Sequence, residues 1–146
     1  MLETVEKNKT IVRDFIEECW NQGKLDLVDD YIAVDCFWRG RGPLDPGLMK
    51  RAISAWRTAF PDFTYHVQQL VAEDDLVIAV VIFTGTHQGV FQRYRAGLGP
   101  WEPTGRSVDV EEVLRFRLTG GKAVEFGNVW DQLEFTRQLG VSPAPT

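Results

Sequence analysis

Alternating hydrophobic and polar positions near the end of the chain predict a β-hairpin between residues 107 and 131. Its strands are expected at 108–118 and 122–130, joined by Thr119-Gly120-Gly121. A three-residue loop with glycine at its last position suits a type I turn closed by a left-handed residue. The register that follows pairs Leu118 with Lys122, Phe116 with Val124, Leu114 with Phe126, Glu112 with Asn128, and Val110 with Trp130.

This register predicts that a carboxyl group and an amide meet on an apolar surface. Successive side chains of a strand point to opposite faces, so Glu112 and Asn128 share a face with hydrophobic neighbours. Burial makes an unpaired carboxylate costly and raises its pKa. Three interpretations stay open: a pocket with this pair at its floor, a core pair in which the amide satisfies the acid, or a strand shifted by one residue with Glu112 in water.

Three- and four-residue spacing of hydrophobic positions predicts three helices before the sheet. They are expected at 4–21, at 25–32 and at 46–60. Asp45 is the predicted N-cap of the third helix and Pro46 its first residue. A short strand at 36–38 and a Gly/Pro-rich loop at 39–47 precede that helix, whose inner face is predicted to carry Leu48, Ala52, Ala55, Trp56, Ala59 and Phe60.

The remaining pattern is mainly that of strands. They are predicted at 63–73 and 76–88, with Asp74-Asp75 as the turn between them. The second is almost continuously apolar, so both of its faces are expected to be covered. Segment 89–106 is rich in Gly, Pro, Arg and aromatic residues, and a loop of that length is usually functional or mobile.

Together these elements predict an α+β fold in which helices pack on a strongly curved antiparallel sheet with an internal pocket. A helix at 132–139 closes the fold. We expect one domain over residues 1–140 and a flexible tail at 141–146.

Composition narrows the possible partners and locations. The 146-residue chain has a net charge of −5 and no basic run, so nucleic acid and acidic membranes are poor partners. The amino terminus is charged, and no apolar run reaches the ~18 residues of a membrane span. Two cysteines are too few for a disulfide framework. We therefore expect a cytoplasmic protein without a nucleic-acid or membrane partner.

Metal and cofactor motifs are lacking as well. His66 and His87 are the only histidines, and neither has a carboxylate or thiol at metal-ligand spacing. Gly97-Leu98-Gly99 lacks the third glycine and the following helix of a dinucleotide loop. We expect no cofactor.

Several short motifs occur along the chain in a particular order. They are Asn8-Lys-x-Ile-Val-Arg13, Trp20-Asn-Gln-Gly-x-Leu-Asp26, Ala59-Phe-Pro-Asp62, Gly85-Thr-His-x-Gly89, Pro103-Thr-Gly-Arg106, Gly121-Lys122, Val129-Trp-Asp-Gln132 and Arg137-Gln-Leu-Gly140. Together they resemble the SnoaL-like polyketide cyclases of the NTF2-like superfamily, over residues 8–140. The resemblance implies an NTF2-like cone and a homodimer. It also implies cofactor-free ring closure of a polyketide by an aldol step.

The resemblance also identifies two altered positions. The family's catalytic aspartate falls at Asn128, and a histidine of the known cyclases falls at Leu114. An amide cannot take a proton from carbon at neutral pH, although it donates and accepts hydrogen bonds. Glu112 is the available substitute as acid or base.

Two routes to a ring stay open. In one, Glu112 transfers a proton while Asn128 hydrogen-bonds the developing enolate oxygen. In the other, the protein folds a linear polyene for a pericyclic, Diels–Alder-type closure, where orientation alone supplies on the order of 7–11 kcal/mol. The absence of the family's aspartate and histidine favours the second route.

Aromatic positions supply the predicted wall of a substrate pocket. The predicted substrate-binding residues are Trp20, Trp38, Trp56, Leu114, Phe126, Trp130 and Tyr94. An ordinary core is the alternative for the tryptophans. Tyr94 with its neighbours Arg93 and Arg95 is a candidate lid, for which a solvated loop is the alternative. We expect a polyketide cyclase of secondary metabolism that acts on a small molecule. An isomerase, an epoxide hydrolase and a non-catalytic binding or adaptor domain are the alternatives.

Overall fold

The computed structural model describes residues 2–142, so residues 143–146 of the predicted tail lie outside the described residues. A π-helical turn (Ile16–Asn21) follows the first helix, and a 3₁₀ turn (Leu25–Leu27) precedes the second. The helices and strands are α1 (Leu2–Phe15), α2 (Val28–Tyr31), β1 (Ile32–Trp38), β2 (Gly42–Pro43), α3 (Pro46–Ala59), β3 (Thr64–Glu73), β4 (Leu76–Thr86), β5 (Ser107–Thr119), β6 (Lys122–Trp130) and α4 (Gln132–Leu139).

The six strands form one curved, open sheet in the order β2-β1-β6-β5-β4-β3. Neighbouring strands are antiparallel except β1 and β6, which are parallel. Helix α1 packs against β3 and β4, α3 against β1, and α4 against β5. The predicted α+β class and cone-like architecture are confirmed.

Helices α3 and α4 begin where the sequence predicts. The Asp45 side chain accepts a hydrogen bond from the Leu48 N–H at 2.8 Å, and Pro46 follows it as the first residue of α3. Asp131 caps α4 in the same way, and Gly140 ends that helix in the left-handed conformation. The predicted inner face of α3 needs one correction, because Leu48 is only half-buried.

The first predicted helix ends at Asn21 as expected, although its last turn is π-helical, whereas the second predicted helix is shorter than expected. Helix α1 ends at Phe15, where the chain widens into the π-helical turn. The predicted helix at 25–32 becomes a 3₁₀ turn and one α-helical turn. Strand β1 starts at Ile32 instead of residue 36, because Ile32 is already paired with Ala123 of β6. Pairing with a distant strand thus overrides the local helical pattern.

The hairpin of β5 and β6 has a different turn from the predicted one. Gly120 and Gly121 alone form the loop, with φ of 59° and 84°, as a type I′ turn requires. The register then shifts between Arg117, which pairs with Glu125, and Leu118, which pairs with Ala123. The shorter loop shifts the register by one residue and the bulge shifts it by one more, so the predicted partners were wrong but the predicted faces of Phe126, Asn128 and Trp130 were right. Lys122 is the exception, because Ala123 takes the buried position next to the turn.

As a result, Glu112 lies opposite Trp130 and Asn128 lies opposite Leu114. The predicted direct pairing of Glu112 with Asn128 is therefore wrong. Since the register differs by an even number of residues, both side chains still point to the buried face, as diagonal neighbours.

Strand β4 alternates more strictly than its apolar sequence suggests. Val77, Ala79, Val81 and Phe83 are buried, whereas the side chains between them are half-buried. The prediction that both faces would be covered is wrong for the single chain. The long segment after β4 is anchored by Phe91 and Leu98, both fully buried, and by backbone hydrogen bonds between Phe91 and Trp101.

Candidate active site

A pocket with mainly aromatic walls lies between α3, the buried face of the sheet and the segment that follows β4. The empty space between its walls, including the solvent at its open side, is about 530 Å³, of which the cavity itself takes about 40 Å³. The predicted site residues that line it are Trp20, Trp38, Trp56, Tyr94, Glu112, Phe126, Asn128 and Trp130. Leu114 is buried outside the pocket wall, which corrects the prediction that it faces a substrate.

The carboxyl group of Glu112 lies at the floor of this pocket and is held from two sides. The Tyr65 hydroxyl donates to Oε1 at 2.8 Å, and the Asn128 amide nitrogen donates to Oε2 at 2.9 Å. The three side chains come from β3, β5 and β6, so the curvature of the sheet brings them together. Glu112 is only 7% exposed, which excludes the predicted alternative with this residue in water.

The orientation of the Asn128 amide follows from its second partner. The Trp38 indole N–H donates to Asn128 Oδ1 at 3.1 Å. An indole nitrogen can only donate, so the amide oxygen must face Trp38 and the amide nitrogen must face Glu112. That nitrogen carries a second N–H beyond the one that Glu112 accepts. Asn128 can therefore act as a donor to a bound carbonyl oxygen.

The pocket favours the neutral form of Glu112. Burial raises the pKa of this carboxyl, and the hydrogen bonds from Asn128 and Tyr65 and the charge of Arg95 only partly oppose the rise. Burial and the neighbouring Glu112 hold the pKa of Tyr65 well above its usual value, so its hydroxyl stays protonated. The floor of the pocket thus contains one titratable acid with a raised pKa and two neutral donors.

The segment after β4 supplies the remaining polar side chains. Trp56 donates its indole N–H to the Tyr94 hydroxyl at 2.9 Å, which places that hydroxyl against α3. Arg95 donates to the Ala96 carbonyl and to the side-chain oxygen of Gln132. Both Tyr94 and Arg95 line the pocket, so the solvated-loop alternative is wrong for them, while Arg93 is exposed.

Tyr65 is a polar pocket residue that the sequence did not single out for the site, and Arg95 entered the sequence analysis only as a neighbour of Tyr94. Tyr65 was predicted only as an alternating position of its strand, although an inward tyrosine needs a partner for its hydroxyl. That requirement is the signal that could have identified it. Arg95 lies in an irregular segment, where no periodicity predicts the direction of a side chain.

His87 is buried but lies away from this pocket. The Thr104 N–H donates to Nδ1 at 3.3 Å, and the ring stacks on Phe60 with centroids 5.1 Å apart. Its Nε2 atom has no hydrogen-bond partner among residues 2–142. Burial lowers its pKa.

Residues 2–142 contain no cluster of three or more His, Cys, Asp or Glu side chains that could hold a metal ion. Among the same residues, none of the helices combines the length and apolar character needed to cross a bilayer.

Solved structures similar to this chain share its fold. A proposed polyketide cyclase from Acidithiobacillus ferrooxidans is 26% identical, with a TM-score of 0.74, and the match covers 92% of this chain and 94% of that one. IdmH, a proposed polyketide cyclase from Streptomyces antibioticus, is 25% identical with a TM-score of 0.73, covering 92% and 99%. AclR from Streptomyces galilaeus, a proposed hydroxylase, is 24% identical with a TM-score of 0.77, covering 93% and 82%.

The AclR likeness concerns the fold alone, because one fold supports different chemistries. Comparison with curated protein sequences finds no significant match. A family model, that of the SnoaL-like polyketide cyclases, matches residues 10–139, which is most of the chain. With this match and the shared fold, the chain belongs to the SnoaL-like polyketide cyclase family.

Proposed function

We propose that the protein closes a ring in a polyketide-type intermediate of secondary metabolism, without a cofactor. The observation that carries this proposal is the Glu112 carboxyl at the floor of an aromatic pocket, with Tyr65 on one oxygen and Asn128 on the other. An apolar pocket with a few convergent polar groups and a perturbed acid is typical of an active site. Family membership supports the same class of reaction.

The pericyclic route fits the raised pKa of Glu112 best. The aromatic walls hold a linear polyene in a folded shape, so two new carbon–carbon bonds form without proton transfer. Correct orientation contributes on the order of 7–11 kcal/mol to the lowering of the barrier. Neutral Glu112 and the second N–H of Asn128 donate to a conjugated carbonyl oxygen and stabilise the charge that develops there.

The aldol-type route uses ionised Glu112 instead. The carboxylate takes a proton from the carbon next to a carbonyl, and Asn128 donates to the enolate oxygen. The enolate carbon then attacks a second carbonyl of the same chain. The oxygen of the attacked carbonyl then takes the proton from Glu112, which returns this residue to its carboxylate form.

A Glu112→Gln variant separates these routes. An amide at this position donates an N–H but cannot accept a proton from carbon, so the pericyclic route loses less than about ten-fold in turnover. The aldol-type route loses on the order of 10²–10⁴-fold, the usual contribution of a general base. Product formation from linear polyene substrates with a conjugated carbonyl is the measurement, and Glu111→Gln on the exposed face is the matched control.

The pH dependence gives an independent measure of the same choice. If Glu112 acts as a base, turnover rises with pH through the raised pKa of this residue. If neutral Glu112 acts as a donor, turnover falls as pH rises through that pKa. A wild-type protein that yields no cyclic product from such linear substrates would overturn the proposed function.

A proton-transfer isomerase is the second candidate, because Glu112 and the Tyr65 hydroxyl are an acid–base pair in direct contact. An isomerase would shift a double bond in the substrate and close no ring, which mass-neutral products without a new ring would reveal. An Asp-Arg-Asp hydrolase receives no support, since Glu112 is the only acidic residue among the described residues that line the pocket. A non-catalytic adaptor would not need a buried carboxyl.

We also infer that the protein pairs as a homodimer in the cytoplasm. The half-buried aliphatic side chains on the outer face of β4 and the exposed Val129 on β6 support an interface there. The two buried cysteines are free, which agrees with a reducing compartment. Light scattering of the purified chain tests the homodimer, and a monomer at micromolar concentration would contradict it.

A further inference from the structure

Two positively charged side chains lie over the Trp38 ring beside the pocket. The guanidinium carbon of Arg41 is 5.3 Å from the ring centroid, and that of Arg95 is 5.9 Å from it. A cation over an indole face is attracted by the ring. Arg95 lines the pocket, whereas Arg41 is exposed. The indole that orients Asn128 therefore also holds two positive charges at this end of the pocket.

Neither arginine forms an ion pair within residues 2–142. The arginine salt bridges of the described chain involve Arg39, Arg117 and Arg137. Arg95 bonds two neutral oxygens and also interacts with the Tyr94 side chain, and its Nε is buried without an acceptor. A buried donor of a charged group is unfavourable when no acceptor faces it. This arrangement differs from an ordinary structural arginine, whose charge is matched by a carboxylate.

The floor of the pocket offers little to match this charge. Glu112 is the only acidic residue among the described residues that line it, and both of its oxygens already accept hydrogen bonds, from Tyr65 and Asn128. Burial lowers the pKa of Arg95, and the charge of Arg41 adds to this effect, whereas Tyr94 and Glu112 oppose it. The chain as a whole has a net charge of −5, so the excess of positive charge is local to this pocket.

We propose that the pocket takes an apolar substrate that carries a carboxylate, which Arg95 binds directly and Arg41 attracts from the mouth. A guanidinium group matches a carboxylate with two parallel N–H donors. The apolar part of such a substrate then extends along the aromatic walls towards Glu112. The inference rests on the proposed function for the reaction of that apolar part, but the binding of the carboxylate is tested separately.

The experiment compares a conjugated polyene acid with its ester. Parinarate and methyl parinarate differ only in the charge of one end, and both can accept excitation energy from tryptophan. We expect the wild-type protein at neutral pH and low salt to bind parinarate about ten-fold or more tightly than the ester, because hydrogen bonds to charged groups are strong. Arg95→Met should bring this ratio to about one while the affinity for the ester stays within about two-fold, since methionine keeps an apolar stem.

Three further variants define the cause. Arg95→Lys keeps the charge but loses the paired donors, so part of the preference for the acid should remain. Arg41→Met should weaken parinarate binding by about two- to five-fold at low salt, and this effect should fade at high salt, where charges are screened. Arg13→Met removes the same charge from the exposed face of α1 and should leave both affinities unchanged.

The outcomes distinguish this inference from the proposed function. Equal affinities for acid and ester in the wild-type protein, or a preference for the acid that survives Arg95→Met, would overturn the carboxylate site without affecting ring closure. Selective binding of the acid through Arg95 without any cyclic product from linear substrates would support the site and overturn the cyclase. Failure of both probes to bind would overturn the carboxylate site, while product formation from linear substrates still decides the cyclase.

Discussion

Glu112 and His87 are both buried titratable side chains, and burial shifts the pKa of each towards its neutral form. Glu112 lines the pocket, and both of its oxygens are hydrogen-bonded. His87 lies at the base of the long segment, stacked on Phe60, outside the pocket. A shifted pKa therefore indicates a candidate catalytic group only when a cavity reaches that group.

The hydrogen bonds of His87 support a structural role. The Thr104 N–H donates to Nδ1, so Nδ1 is the acceptor and the proton of the neutral ring sits on Nε2. The His87 backbone also bonds Arg106 and Gly105. This residue therefore ties the two ends of the segment that carries Tyr94 and Arg95.

The largest expected difference between Glu112 and His87 is in turnover. Glu112→Leu should reduce ring closure by about 10²-fold, the usual loss when one positioned polar group is removed from an active site. His87→Asn should stay within about two-fold, because it leaves the pocket unchanged. Product formation under saturating substrate measures both. A greater loss of turnover for His87→Asn than for Glu112→Leu would show that Glu112 is not the catalytic residue.

The second prediction concerns stability at acidic pH. The pKa of His87 is lowered in the folded protein, so the unfolded chain binds the proton more readily below about pH 6.5. Stability supplied by the neutral ring is present above that pH and is lost as pH falls, by at most about 1.4 kcal/mol per pH unit. His87→Asn keeps an acceptor for Thr104 and should flatten this part of the curve.

Thermal unfolding of the wild-type protein and of His87→Asn across the range below pH 7 gives the measurement. Equal slopes for the wild-type protein and His87→Asn would show that the ring titrates alike in both states.

Glu112 should show the opposite sign. Its pKa is raised in the folded protein, so the folded state holds the proton more readily than the unfolded chain, whose pKa is about 4.3. Stability should fall as pH rises from that value towards the raised pKa of Glu112 and then level off. Glu112→Gln remains neutral and should lose this fall, which denaturant unfolding at several pH values would detect. A variant that retains the wild-type slope would contradict the assignment.

The smallest predicted effect concerns the orientation of Asn128. Trp38→Phe removes the indole N–H that fixes the amide oxygen, so the amide can turn its nitrogen away from Glu112. Turnover should fall by about three- to ten-fold, because misplacement of a catalytic group is costly even without its removal. Trp101→Phe lies outside the pocket wall and should have no comparable effect. An unchanged rate for Trp38→Phe would mean that Glu112 alone orients the amide.

Local chemistry predicted the elements with clear ends. The predicted range of 132–139 for α4 is confirmed, and the structure shows Asp131 as its cap and left-handed Gly140 at its end. Asp45 and Pro46 correctly predicted the start of α3. The strand-to-strand alternation also placed Glu112 on the buried face, because side-chain direction depends only on the parity of the register.

The sequence could not predict what depends on distant contacts. The shorter turn and the bulge in β6 together changed the partner of Glu112 from Asn128 to Trp130, and a bulge leaves little local signal. The π-helical turn after Phe15 likewise leaves little local signal in the sequence. Tyr65 and Arg95 reach the pocket from a strand and a loop whose positions are fixed only by the assembled cone.

The π-helical turn ends at Asn21, whose side chain bonds β3 as a neighbouring strand would. Asn21 Nδ2 donates to the Tyr65 carbonyl at 3.0 Å, and the Tyr65 N–H donates to Asn21 Oδ1 at 2.8 Å. Strand β3 is an edge of the sheet, and unpaired edges are templates for aggregation. At Tyr65, whose hydroxyl binds Glu112, the Asn21 side chain thus occupies the backbone groups that a foreign strand would need for pairing.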